Sequence, residues 1–500
     1  MIERRWQSLG AALLVLALFS VPPATHAQQP IDLANLSVGE AARLIKEKRI
    51  TSTELVHALL KECDAWTDLS VFITLERPRG LRAAAAADDA WARGVSLGAL
   101  HGVPLVVKDN IHVAGFPNTA GTPALRGFVA PDNAPVVQAL LDAGAIVLGK
   151  TNMHELAFGA TSNNAAFGAV RTPYDPSRFA GGSSGGSAAA IAARMAPGGL
   201  GTDTGGSVRI PAALNGIAGL RPSSGRYSQA GVTPFSHTRD TVGPMARNVS
   251  DLVLLDQVIT GDWSPVEPAS IPAIRLGVVR DPFFGNLDPE VTRIMERTLA
   301  RLRAAGVTLV DAEMPGLAEA SGKIGATVGY YEARGDLTAY LERYRPGLTV
   351  RAVADQIASP DVKGLFDNRV LGEEAPTEAV YREAMEQHRP RLKQIYADAF
   401  ASYRIDALLF PTTPMPAQRL EDSLEVVLNG KTLLTLAVFV SNTRPANNAG
   451  LVGVSLPMGT TTAGLPLGVE LDGPAGSDRR VLSIAMRLEQ LLGGVPAPKR

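Results

Sequence analysis

A serine closes a glycine-rich run, Gly201-Thr202-Asp203-Thr204-Gly205-Gly206-Ser207. Acyl transfer needs backbone N–H groups aimed at the oxygen on which negative charge develops. Glycines permit such a turn and leave room for a substrate carbonyl. Ser207 is therefore a candidate nucleophile, with the N–H groups of Thr204, Gly205, Gly206 and Ser207 as candidate oxyanion donors. A serine hydroxyl needs a base, and no histidine is well placed in the sequence to serve. Lys108 can serve when neutral. Burial lowers a lysine's pKa, and Lys108 directly follows the apolar pair Val106 and Val107. A second serine between Lys108 and Ser207 would let a proton pass along hydroxyls.

Two other motifs compete for the chemistry. Gly144 to Thr151 reads GAIVLGKT, a literal match to the phosphate-loop pattern. That loop requires a strand before its first glycine and free N–H groups facing phosphates. Here a helical pattern precedes Gly144, which reads as a helix C-cap, and Ala-Ile-Val-Leu reads as a buried strand. Lys150 is thus expected to be structural. Gly181-Gly182-Ser183-Ser184-Gly185 fits the nucleophile elbow G-x-S-x-G. An elbow needs an apolar strand running into it, whereas Pro173 and Pro176 interrupt this approach. Only His237 and His388 follow Ser183, and His388 lies in a charged helical stretch.

The set formed by Gly181 to Ser187, GTDTGGSVR over 201–209, Pro211-Ala212, Lys108-Asp109-Asn110 and Lys150-Thr151-Asn152-Met153 resembles the amidase signature family. Ser207 follows Ser183 by 24 residues, a spacing familiar in that family. The resemblance runs from about Leu36 to the last helix. It implies that Ser207 is the nucleophile, Ser183 a bridging serine after a cis peptide bond, and Lys108 the base. It implies that Asp203 and Arg209 support the turn. It implies an α/β fold, a large mixed β-sheet with helices on both faces, and hydrolysis without metal or cofactor. Thr238 to Thr241, Gly243 to Arg247, Ser441 to Thr443 and Asn448 to Leu451 resemble the indoleacetamide and mandelamide hydrolase subgroup, which acts on small arylacetamides. The expected substrate is then a small carboxamide, cleaved to a carboxylic acid and ammonia. Alternatives are an ester, anilide or carbamate hydrolase with the same triad, or a catalytically silent binding protein on this fold.

These side chains need rigid elements to hold them. Ser37 with Glu40 and Thr51 with Glu54 have capping-box spacing ahead of two helical patterns. Strand-like runs are expected at Val71 to Leu75, at Val103 to Val107 ending on Lys108, and at Ala145 to Leu148. Helices are expected over Leu81 to Ala92 and Val136 to Ala143. The small-residue stretch from Phe179 to Arg226 reads as a loop, a helix over Ser187 to Met195, and a second glycine loop. A strand at Ile274 to Val279 and a helix at Pro289 to Ala304 follow. Ala318 to Tyr344 and Thr377 to Phe400 read as two long charged helices, a lip over about 315–402 carrying Tyr330, Tyr331, Tyr340 and Tyr344. Strands at Ala407 to Phe410, Val452 to Leu456 and Leu467 to Leu471 precede a closing helix from Asp478 to Leu492. Strands alternating with helices indicate an α/β layered fold. Core-like strands at both ends favour a single domain over 28–500.

The sequence has 500 residues and a net charge of -1 with no long basic run, which argues against nucleic acid as a partner. Arg4 and Arg5 precede an apolar stretch from Leu9 to Val21, then Pro22-Pro23 and the small-residue site Ala24-Thr25-His26-Ala27. That is the form of a secretory signal over 1–27, with a mature start near Gln28 and a secreted or periplasmic destination. The run is too short to span a membrane comfortably, so no stable insertion is expected once the signal is removed; an uncleaved membrane anchor is the alternative. Cys63 is the only cysteine, excludes an intrachain disulfide, and reads as a small buried hydrophobe. The expected partner is a small-molecule amide, with a homodimer left open.

Overall fold

The computed structural model describes residues 31–96 and 98–500, so the expected secretory signal lies outside the described residues. Leu33–Arg500 forms one compact unit. Both expected capping boxes form: Ser37 and Thr51 accept the N–H of Glu40 and Glu54, whose carboxylates take the cap N–H in return. They start helices at Val38–Lys46 and Ser52–Ala65.

An eleven-stranded sheet carries the unit. In chain order its strands are β1 (Phe72–Leu75), β2 (Pro104–Lys108), β3 (Ile146–Thr151), β4 (Gly198–Thr202), β5 (Ala218–Arg221) and β6 (Val242–Ala246), then β7 (Arg275–Val279), β8 (Thr308–Ala312), β9 (Ala407–Pro411), β10 (Val452–Thr460) and β11 (Pro466–Gly473). Across the sheet they run β1-β3-β2-β4-β6-β5-β10-β11-β9-β7-β8. The triplet β3-β2-β4 is parallel, as is β9-β7-β8, and the remaining pairs are antiparallel. The sheet is mixed, as expected.

Helices cover both faces. Successive strand residues point to opposite faces. Ala407 and Leu409 of β9 pack in one core with Val291, Leu299, Leu482 and Leu488 of the Pro289–Ala304 and Asp478–Leu492 helices. Leu408 and Phe410 pack in another with Ile324, Val328, Leu392 and Tyr396 of the Leu317–Tyr344 and Arg389–Tyr403 helices.

The structure departs from the sequence reading at several elements: β5, β6 and β8 are strands that the sequence reading does not expect, and two further differences have local causes. The expected single helix over 377–400 is three pieces, Glu378–Glu383, a π-turn at Ala384–His388 and Arg389–Tyr403, with Pro390 in the first turn of the last. The second glycine loop contains a central strand, β4, whose sequence GGLGT has little strand propensity. Tertiary packing overrides propensity there. A Cβ at Gly199 would collide with the Val106 carbonyl of β2, and one at Gly201 would lie 2.7 Å from Ser184 Oγ. The strand is glycine-rich because its neighbours press against its backbone.

The phosphate-loop match resolves as read. Ile146–Thr151 is a fully buried strand, and Gly144 is the left-handed residue after a helix, at φ 91°. Lys150 lies 3.5 Å from Asp109 and donates to Pro117 O and Asn118 Oδ1. Cys63 is buried, and burial pushes its thiol up to about 12, as expected of an inert residue.

Candidate active site

Parallel strands β2 and β4 are neighbours, pairing Val106 with Gly199 and Val107 with Leu200. Their C-terminal ends therefore lie side by side, where open α/β sheets place their ligands. Lys108 ends β2 and Thr202 ends β4. Lys108 is fully buried, and its Nζ lies 2.7 Å from Ser183 Oγ and 2.7 Å from Thr202 Oγ1. Asn110 Nδ2 donates to the same Thr202 hydroxyl at 3.1 Å. Burial lowers the Lys108 pKa to about 7, against the opposing pull of the Asp203 and Asp240 carboxylates. A neutral amine holding Thr202 with one N–H has a lone pair free for the Ser183 proton.

Ser183 follows a cis peptide bond from Gly182. Its carbonyl accepts from the His154 N–H at 3.1 Å and from Ser162 Oγ at 3.3 Å. The next residue joins it to the glycine turn. Ser184 N–H donates to Ser207 O at 3.2 Å, while Ser184 Oγ and the Thr202 backbone bond each other. The structure therefore joins Lys108 to Ser183 side chain to side chain, and the segment carrying Ser183 to Ser207 backbone to backbone. The strand expected of a nucleophile elbow is missing: Asp175–Phe179, ahead of Ser183, lies outside the eleven-stranded sheet, paired in a separate two-stranded sheet and bridged to Arg419. His237 and His388 pair instead with Asp336 and Glu383.

Asp203 organises the turn that carries Ser207. Its Oδ1 accepts from Gly206 N–H at 2.9 Å and Asn447 Nδ2 at 2.7 Å, and its Oδ2 from Val208 N–H at 3.1 Å and Arg209 Nε at 3.1 Å. Arg209 extends the network to Glu470 at 2.8 Å and Asn447 Oδ1 at 2.7 Å, and Arg221 donates to the Asp203 carbonyl at 2.6 Å. All these side chains are buried. Burial by itself would raise the Asp203 pKa, but the Arg209 and Arg221 guanidiniums outweigh it and hold the carboxyl well below the usual range. Gly206 has φ 120°, and a Cβ there would collide with Thr443, so this position accepts only glycine.

One expected donor is already spent. The Gly206 N–H is committed to Asp203, which corrects its assignment to the oxyanion hole. Among the described residues, the N–H groups of Thr204, Gly205 and Ser207 have no acceptor and remain available. Asp203 and Arg209 hold the turn through these bonds. Thr202, Asn110, Asn447 and Arg221 were not read from sequence. Asn447 lies 244 residues from Asp203, and no local pattern marks it.

Asp203→Asn is expected to lose about 3–5 kcal/mol of unfolding free energy, because it leaves Arg209 and Arg221 without their shared buried countercharge. Urea unfolding followed by fluorescence checks this. A midpoint equal to that of the unaltered protein would contradict the role given to Asp203.

Beside the turn lies a cavity of about 300 Å³ lined by Thr204, Gly205, Phe235, Tyr330 and Val440, among others. Of the four lip tyrosines only Tyr330 lines it. Tyr331 stacks on Tyr381, and Tyr340 and Tyr344 pack on His112.

The family described as Amidase matches residues 54–482. The chain is 42% identical over 486 residues to the mandelamide hydrolase of Pseudomonas putida, covering 94% of each protein. It is 40% identical over 456 residues to the indoleacetamide hydrolase of Agrobacterium vitis, covering 91% of this chain and 97% of that one. Among solved structures, an amidase superposes with a TM-score of 0.81 at 34% identity, covering 92% of this chain and 100% of that one. The native peptide amidase of Stenotrophomonas maltophilia superposes with a TM-score of 0.78 at 29% identity, covering 93% and 99%.

Proposed function

The chain belongs to the amidase family and is an amidase, and on that premise we propose that it cleaves a small aromatic primary carboxamide through an acyl-enzyme on Ser207. The observation that carries this reading is the buried contact of 2.7 Å between Lys108 Nζ and Ser183 Oγ, one residue from the Ser184–Ser207 hydrogen bond.

In the proposed reaction the neutral Lys108 amine takes the Ser183 hydroxyl proton as the Ser183 oxygen takes the proton of Ser207. Ser207 Oγ bonds to the amide carbon, and the carbonyl π electrons move to oxygen. The N–H groups of Thr204, Gly205 and Ser207 hold that oxyanion. Collapse breaks the carbon–nitrogen bond, and the proton returns through Ser183 to the leaving nitrogen, which departs as ammonia. Water, deprotonated by the same relay, attacks the ester carbon. The carboxylic acid leaves and Ser207 regains its proton. The aromatic preference is supported by the names of the two hydrolases above and by Phe235 and Tyr330 in the cavity wall. We further propose export, on the basic, apolar and small-residue segments of residues 1–27. Among the described residues no helix is long and apolar enough to cross a membrane.

Ammonia release from a panel of amides tests the reading. Indole-3-acetamide, phenylacetamide and mandelamide are expected to exceed short aliphatic amides and C-terminal peptide amides at least about tenfold in kcat/KM, the discrimination typical of a pocket that buries a ring. Equal rates across the panel would contradict the aromatic reading. Silence on every primary amide, with turnover of matched esters or anilides, would move the substrate class to those bonds.

A further inference from the structure

We infer that the natural amide carries a carboxylate on its acyl part, received by Arg444 in the cavity beside the glycine turn. The inference rests on the primary-amide reading above, in which everything except the departing ammonia is acyl part.

The charge in this cavity is one-sided. Arg239, Arg369 and Arg444 line it, and no aspartate or glutamate does. Arg369 has a partner, Glu374, at 3.2 Å. Arg239 is held by neutral acceptors, Gly325 O at 2.8 Å, Asn448 Oδ1 at 3.3 Å and Ser236 Oγ at 3.1 Å. Arg444 differs from both. Among the described residues its guanidinium has neither a hydrogen-bond acceptor nor a carboxylate within pairing distance. Burial lowers its pKa. Arg444 is half-buried, and a guanidinium stays charged in any protein setting, so an anion entering the cavity would supply the partner it lacks.

The helix beside it is shaped to admit these groups. Gly325 and Gly329 lie four residues apart, on one face of the Leu317–Tyr344 helix. A Cβ at Gly325 would lie 2.9 Å from both Cδ and Nη1 of Arg444, and a Cβ at Gly329 would collide with Arg239 Nη2. Each glycine lowers helix stability relative to alanine. Here they make room for two cations against the cavity wall. Thr204 and Gly205 are part of the same wall. A substrate lying along it can therefore meet the turn with its amide and Arg444 with its far end. Phe235, Tyr330, Leu436 and Val440 give the middle an apolar surface suited to a ring. Among common anions a carboxylate matches the planar guanidinium fork in two parallel hydrogen bonds.

The test compares 4-nitrophenylacetamide with its 4-carboxylate counterpart, groups of nearly equal shape that differ in charge, together with the two 3-substituted isomers; the methylene between ring and carbonyl damps their different electron withdrawal at the reacting carbon. In the unaltered enzyme the better carboxylate is expected to exceed its nitro partner in kcat/KM by about tenfold to hundredfold, the range of a charge-assisted hydrogen bond formed out of water. Arg444→Gln is expected to bring that ratio close to one. Nitro amides turned over well, with carboxylates equal or worse at both positions, would overturn the inference and leave the amidase reading intact. A carboxylate preference that survives Arg444→Gln would also overturn it. Silence on all four amides would overturn the primary-amide reading, and this inference with it. Where Arg444→Gln fails to fold, Arg444→Lys, which keeps the charge without the planar fork, is expected to cut the ratio severalfold, and an unchanged ratio there would overturn the inference.

Discussion

Ser207→Ala is expected to lower kcat on every amide the enzyme accepts by about 10⁴-fold or more, the loss usual when a covalent nucleophile is removed. The substitution deletes one oxygen from a turn that other groups hold. Asp203 fixes that turn through the Gly206 and Val208 N–H groups and through Arg209, and Ser184 binds Ser207 by its backbone carbonyl. None of these bonds uses Ser207 Oγ. The variant should therefore fold, keep its thermal midpoint and still bind substrate. A residual rate above about a tenth of the starting one would mean that another atom attacks the amide.

Lys108→Arg is the second large effect, and it separates a base from a mere positive charge. Arginine keeps the charge and the donors but does not give up its proton in a protein. If the Lys108 amine takes a proton from Ser183, the variant should fall by about 10³-fold in kcat, within the range for loss of a positioned general base. The pH profile carries the same argument. Only the neutral amine has a lone pair, and with a pKa of about 7 its neutral fraction grows as pH rises through that value. The kcat/KM of the unaltered enzyme should therefore rise from pH 6 to 8 and level off above. A profile that falls steadily from pH 6 to 9, or a Lys108→Arg variant of ordinary activity, would contradict the lysine base.

Much of this site was legible in the sequence because its chemistry is local. The run GTDTGGS announces a backbone turn around a serine, and the apolar approach to Lys108 announces a buried amine at a strand end. The fold class followed from strands and helices whose apolar periods are plain, as in Pro289–Ala304 and Asp478–Leu492. What escaped was set by tertiary contact. β4 lacks the side chains that mark a strand, because β2 and Ser184 press on its glycines. The Gly206 N–H was counted as an oxyanion donor because its use by Asp203 depends on a turn geometry no spacing reveals. Thr202 sits inside the recognised motif, yet its hydroxyl meets Lys108 only because β2 and β4 are parallel neighbours. Arg444 carries no local signal; what marks it is the glycine face of the Leu317–Tyr344 helix, over a hundred residues upstream.

The central claim is that the acyl group passes through Ser207. Acid-quenching the enzyme with an accepted aromatic amide within the first turnovers, then mapping its peptides by mass spectrometry, tests it most directly. The account predicts the mass of the acyl group on Ser207 in the peptide containing the glycine turn, and none in Ser207→Ala. An acyl mass on Ser183 or elsewhere, with residue 207 unmodified throughout turnover, would contradict it.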